Sequence, residues 1–204
     1  FTNQRTMILI TGASGKLGGY LIRQAQSRRQ RILGVNRLSA PTNAGVALPA
    51  KCDELRLNYL DWPRFQAAIE NAAPQAIIHT AALSSVQGCF DDPQLAEAIN
   101  VTFVAKLAHW CQGNAVKLLH VSTDMVFDGS QAPYHEQSEI RPYSVYGTSK
   151  YRGEQVALEH GAIVVRPALM FGPSLTRNQG FFDQIQHQLQ EDQTIKLFDD
   201  EWRT

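Results

Sequence analysis

The run MILITGASGKLG, Met7 to Gly18, leaves a chain little freedom in how it folds. Met7–Thr11 is a short apolar run of strand length, and KLGGYLIRQAQS beyond it is amphipathic at helical spacing. Between them Gly12, Gly15 and Gly18 stand as G-x-x-G-x-x-G. Gly12 permits a tight strand-to-helix turn, Gly15 lets backbone approach a pyrophosphate, and Gly18 lets the helix pack close to the sheet. The helix then offers unpaired N–H groups to an anion. A strand before and a helix after are the context that separates a dinucleotide turn from a chance cluster of glycines. Gly12, Ser14, Gly15, Lys16, Leu17 and Gly18 are therefore the first candidate cofactor contacts.

The same alternation continues along the chain. Strand-like runs fall at Arg31–Asn36, Glu54–Asn58, Ala76–Thr80, Lys117–Ser122 and Ala162–Arg166, with TIKLF (Thr194–Phe198) also strand-like. DWPRFQAAIENA reads as a helix with Asp61 at its N-cap and Pro63 in its first turn. DPQLAEAINVTFVAKLAHWCQ carries Leu95, Ile99, Phe103, Leu107 and Trp110 at helical spacing, a core stripe. SKYRGEQVAL and FFDQIQHQLQ are further helices. Six or seven strands separated by helices predict an α/β fold with a doubly wound parallel sheet. Residues 1–166 would form the dinucleotide-binding core, and 167–204 the start of a small substrate-binding region that is apparently truncated.

Composition excludes several functions. Lysine plus arginine and aspartate plus glutamate number 19 each, so there is no basic surplus for nucleic acid or an acidic membrane. RRQR (Arg28–Arg31) reads as a solvated helix end. Cys52, Cys89 and Cys111 lack metal-ligand spacing and are expected as reduced thiols. His187, Glu191 and Asp192 form a solvated face, and no metal is expected. No run reaches the length of a membrane span, and the expected location is the cytoplasm.

Where the second strand ends, an acidic residue normally meets a free ribose 2′-hydroxyl. Here Asn36 and Arg37 stand instead, and Arg37 could pair with a 2′-phosphate. This favours NADP(H), with NAD(H) left open.

YGTSK puts Tyr146 and Lys150 four residues apart, on one helix face. A nearby ammonium favours the phenolate, which would bring the phenol down from its ordinary value near 10. Tyr146 could then give a proton to a ketone oxygen as hydride reaches the carbon. HVSTDMVFDG closes the fifth strand with Thr123, a hydrogen-bonding hydroxyl at the sheet end where α/β proteins bind ligands.

TGASGKLG, HTAA (His79–Ala82), VSTDMVFDG, YGTSK and RPALMFGP occur in the order seen in extended short-chain dehydrogenases/reductases, and the chain resembles that family. Within it, the chain is most similar to the dTDP-4-dehydrorhamnose reductases. The resemblance implies a Rossmann fold and a catalytic set of Thr123, Tyr146 and Lys150, with Lys150 also on the nicotinamide ribose. It implies that Ala81 and Ala82 line the cofactor channel, that Asn58 and Tyr59 stand on the adenine side, and that Asn100 supports the site. Arg166 would lie near the nicotinamide. Ser84, Ser85, Val86, Met125 and Phe127, with Thr123 and Tyr146, would meet substrate, and His79 would be structural. Gln87 stands where such reductases carry an acid, and Asn58 where an aspartate is common.

The implied activity is NADPH-dependent reduction of a nucleotide-linked 4-keto-6-deoxy sugar. Met125 after Asp124 removes the second carboxyl of a dehydratase. A nucleotide-sugar epimerase stays open, as does an NADP-binding regulator similar to the β-subunit of methionine adenosyltransferase. The implied partners are a small nucleotide-sugar substrate and at most a second copy of the chain.

Overall fold

In a computed structural model of the 204-residue chain, residues 6–38, 52–175 and 180–195 are described. Met7–Thr11 form β1, Lys16–Ser27 α1 and Arg31–Arg37 β2. Asp53–Leu57 form β3, Trp62–Ala72 α2 and Ala76–His79 β4. Next come α3 (Val86–Asp91), α4 (Pro93–Glu97), α5 (Phe103–Gly113) and β5 (Lys117–Val121). The described chain closes with α6 (Val145–Glu159), β6 (Ile163–Val165) and α7 (Phe181–Gln190).

The six strands make one parallel sheet in the order β3-β2-β1-β4-β5-β6. Because successive side chains point to opposite faces, Leu9 and Ile10 serve different cores. Leu9, Val35 and Ile77 pack under α2, α5 and α6 with Phe65, Phe103, Leu107 and Ala157. Ile10 and Ile32 pack under α1 with Ile22. Burial on both faces is why β1 and β2 read as continuous apolar runs. The order reverses between β1 and β4, which opens a crevice at the C-terminal ends of those strands.

Two elements depart from the sequence reading. The helix expected from 92 to 112 is continuous in path, but Ala98–Thr102 forms a π-helical turn between α4 and α5. Such turns add a residue locally and recur at functional sites. Val86–Asp91, where the sequence reading assigned no element, is a short helix capped by Ser85, which accepts the Gly88 N–H at 3.0 Å. Asp61 caps α2 as expected, accepting from Arg64. The TIKLF run lies mostly outside the described residues, as does most of the loop expected between Arg37 and Lys51.

Candidate active site

The glycine turn is fixed by close approaches of backbone. Gly12 has a φ of +66°, and a Cβ there would stand 2.9 Å from the Ala81 nitrogen on the far side of the crevice. A Cβ on Gly18 would lie 2.2 Å from the Gly12 carbonyl oxygen. Gly18 therefore lets α1 close onto the turn itself, where the sequence reading placed it against the sheet. Gly15 donates its N–H to Gly12 O at 2.9 Å. Lys16 and Leu17 open α1, where backbone N–H groups have no acceptor within the helix. Lys16 Nζ donates to Met170 O at 2.7 Å and the Tyr20 hydroxyl to Pro173 O at 2.8 Å, so the segment after β6 lies along the start of α1.

Three side chains hold the turn from behind. Tyr59, directly after β3, accepts the Gly12 N–H at 3.1 Å and donates to Val35 O at 3.1 Å. Burial pushes its phenol up to about 12, so it stays a neutral donor. Asn36 accepts the Ser14 N–H at 2.6 Å and donates to Glu54 at 2.8 Å. Thr80 donates to Thr11 O at 2.6 Å. Asn36 and Tyr59 are thus bound into the protein, while Arg37 is exposed at the end of β2. Asn58 is also exposed and accepts the Leu60 N–H at 3.0 Å.

Across the crevice, Ser144 caps α6 by accepting the Gly147 N–H at 3.0 Å. That fixes the start of the helix on which Tyr146 and Lys150 share a face. The Thr123 hydroxyl donates to Asp124 Oδ1 and accepts the Met125 N–H, each at 3.2 Å, and it lies near enough to the Tyr146 phenol to pull it down. Burial nevertheless raises the Tyr146 phenol above 10, against the pull of Thr123. The sequence reading expected Lys150 to lower it. Here the phenol stays protonated, the form a proton donor needs.

Lys150 is only 2 % exposed and gives a hydrogen bond to Val121 O at 2.7 Å. Burial brings its ammonium down from 10.5 to about 8, opposed by the nearby Glu154. The π-helical turn presents Asn100 beside it. Its carboxamide accepts the Leu83 N–H at 2.9 Å, and its amino group donates to Leu83 O and to the Ser149 hydroxyl at 2.9 Å. Asn100 thereby ties the loop of Ala81 and Ala82 to α6. A Cβ on Gly153 would lie 2.2 Å from Asn100 O, which keeps that seam close.

Beneath Lys150, His79 and His120 pair across β4 and β5 and stack at 5.3 Å. Both are fully buried. Burial, then the Lys150 charge, lowers His79 to about 3 and His120 well below its ordinary value, so both are neutral. His79 Nδ1 is 2.7 Å from the Thr11 hydroxyl, a framework contact.

Arg166 binds Glu154 through Nε at 2.9 Å and Nη2 at 2.6 Å, and lies 5.3 Å over the Phe127 ring. Phe127 stacks on Tyr134 at 4.3 Å. Ser84, Ser85 and Val86 are exposed beside the crevice, and Met125 is half-buried. The structure therefore brings Thr123, Tyr146 and Lys150 together at the same sheet end as the glycine turn. Glu154, His120, Ser149 and Glu54 were not singled out in the sequence. Glu154 alone left a signal there, at i+4 from Lys150.

The donor set suits a dinucleotide: a turn that admits no Cβ at Gly12 or Gly18, backbone N–H groups at a helix start, and a buried lysine four residues from a tyrosine. Fold and site together define a Rossmann-type α/β protein with a Tyr-x-x-x-Lys helix. The chain matches the RmlD substrate binding domain over residues 6–204 and belongs to that family. It is 34% identical over 166 residues to methionine adenosyltransferase 2 subunit beta of Xenopus laevis, covering 80% of this chain and 47% of that protein. It is 28% identical to the probable low-salt glycan biosynthesis reductase Agl14 of Haloferax volcanii, over 96% of this chain and 64% of that one. Among solved structures, a hypothetical dTDP-4-dehydrorhamnose reductase from Sulfolobus tokodaii is 30% identical with a TM-score of 0.71, over 83% of this chain and 58% of that chain. The chain spans about half the length of the curated relative in Xenopus.

Proposed function

We propose that the chain is the cofactor-binding part of an NADPH-dependent reductase of a nucleotide-linked 4-keto-6-deoxy sugar. The observation that carries this reading is the Thr123–Tyr146 contact with buried Lys150 one helical turn away, at the sheet end that bears the glycine turn. Arg37 at the end of β2 favours the 2′-phosphate of NADPH. A bound nicotinamide dinucleotide supplies the hydride. Thr123 orients the substrate oxygen, and Tyr146, protonated at neutral pH, gives that oxygen its proton from Oη. Lys150, held by Val121 O, keeps a positive charge behind the phenol and would hold the nicotinamide ribose of a bound cofactor. The names of the Haloferax, Sulfolobus and other relatives support a sugar-nucleotide reductase.

A second reading is favoured by one observation, the 34% identity to methionine adenosyltransferase 2 subunit beta. Under it the chain binds NADP(H) and serves a partner protein. NADPH oxidation by the full-length protein with dTDP-4-dehydrorhamnose, beside Tyr146→Phe, separates the two. Turnover that falls about 10²- to 10⁴-fold in the variant, with NADPH binding kept, supports the reductase. NADPH binding without turnover of any 4-keto sugar supports the regulator.

A further inference from the structure

The proposed chemistry uses Thr123, Tyr146 and Lys150 and leaves Glu154 without a task. Glu154 is wholly buried and lies one turn beyond Lys150 on α6, on the same helix face. Its carboxylate accepts from Arg166 Nε at 2.9 and 3.1 Å and from Nη2 at 2.6 Å. The Arg166 guanidinium is itself held, 5.3 Å over Phe127. One buried carboxylate therefore serves two cations from different elements, α6 and the end of β6. Burying such a pair is costly, and apolar residues of similar volume usually do as well for stability alone.

The other titratable groups that face Lys150 come from four elements: Cys89 on α3, His79 on β4, His120 on β5 and Tyr146 on α6. Burial raises the Cys89 thiol and the Tyr146 phenol and lowers both imidazoles, so all four are neutral near pH 7. Glu154 is then the anion whose field reaches Lys150. Lys150 makes its direct hydrogen bond to a backbone carbonyl, which carries no net charge.

We propose that Glu154, fixed in place by Arg166, is a positioning residue whose negative charge holds Lys150 in its ammonium form. The inference rests on the reading that Lys150 serves the site, but its test requires no substrate.

The test is a pH titration of Lys150 by NMR in full-length protein carrying ¹³Cε-labelled lysine, with the Lys150 signal assigned by its loss in Lys150→Met. Three proteins are compared: wild type, Glu154→Gln, and Glu154→Gln with Arg166→Met. The single variant removes the anion and should lower the Lys150 midpoint by roughly one pH unit or more. The double variant also removes Arg166, whose charge does not act on Lys150, and its midpoint should stay lowered to a similar extent. An unmoved midpoint in the single variant overturns the proposal. So does a double variant that returns to the wild-type midpoint, which would trace the shift to the unpaired Arg166 guanidinium. Should the single variant not fold, the double variant decides alone, and an unmoved midpoint overturns the proposal. NADPH oxidation that fails with every 4-keto sugar counts against the reductase reading and leaves this titration unaffected.

Discussion

The Tyr59 phenol stands between two backbone groups of the nucleotide turn, accepting from Gly12 N–H and donating to Val35 O, each at 3.1 Å. It clamps the end of β1 to the end of β2 from inside the core, where Phe103 and Phe65 pack at 5.1 and 5.8 Å. Tyr59→Phe keeps the ring and removes both hydrogen bonds, leaving Gly12 N–H without its acceptor and Val35 O with the Ala13 N–H at 3.3 Å. The expected cost is about 1–3 kcal/mol of stability, read by urea unfolding. NADPH affinity should fall with it, read by calorimetric titration. Unchanged values in both measurements would show that the clamp does not hold the turn.

Lys150 gives a stability effect of opposite sign. Its lowered value, about 8 against an ordinary 10.5, means that the unfolded chain holds this proton more tightly between those two pH values. Wild-type stability therefore gains from this group as pH rises from about 8 to 10.5, and carries the full penalty below 8. Lys150→Met should be more stable than wild type at pH 7 by about 2 kcal/mol, after the lost bond to Val121 is allowed for. The margin should close by pH 10.5. Urea midpoints of the two proteins at pH 7 and pH 10 read the difference directly.

Much of the fold was legible because its signals are local. The runs MILIT, RILGVN and AIIHT are buried strands, and the N-cap Asp61 and the core stripe from Ile99 to Trp110 stand where periodicity placed them. The π-helical turn was not legible, because a 3.6-residue reading absorbs one extra residue without losing the stripe. The α3 helix was missed because its six residues carry a single turn of apolar spacing, Val86, Cys89 and Phe90, too short to stand out as a period, although Ser85 carried a capping signal. At the site, spacing put Tyr146 and Lys150 on one helix face, the end of the fifth strand offered Thr123, and the family resemblance joined the three. The rise in the Tyr146 phenol could not, because it comes from burial by distant chain.

The two buried imidazoles set the response to acid. Unfolded histidine titrates near 6.5, whereas folded His79 stays neutral down to about 3 and His120 is also lowered. These lowered values give stability that is present above about pH 6.5 and lost progressively as pH falls toward 3. Neither ring nitrogen of His120 has a protein partner among the described residues, so His120→Phe gives up no hydrogen bond. That variant should lose about 1.4 kcal/mol less than wild type for each pH unit below 6. Urea unfolding at pH 7 and pH 5 checks this, and parallel losses in both proteins would refute it.

Arg37 carries the expected choice of cofactor. It is exposed at the end of β2, beyond the Asn36 carboxamide that holds Ser14. Arg37→Ala should weaken NADPH binding by about 10- to 100-fold, the worth of a charge-assisted hydrogen bond, and leave NADH binding within about twofold. Equal losses for both cofactors would show that Arg37 does not read the 2′-phosphate.

The contacts of Lys16 with Met170 and of Tyr20 with Pro173 join groups 154 and 153 residues apart. During synthesis the start of α1 therefore leaves the ribosome long before its partners exist. At the usual 5–20 residues per second that interval is about 8 to 30 seconds. The nucleotide turn is therefore made well before it is finished. A nascent chain arrested before Met170 should hold β1 and α1 without the segment that lies along them.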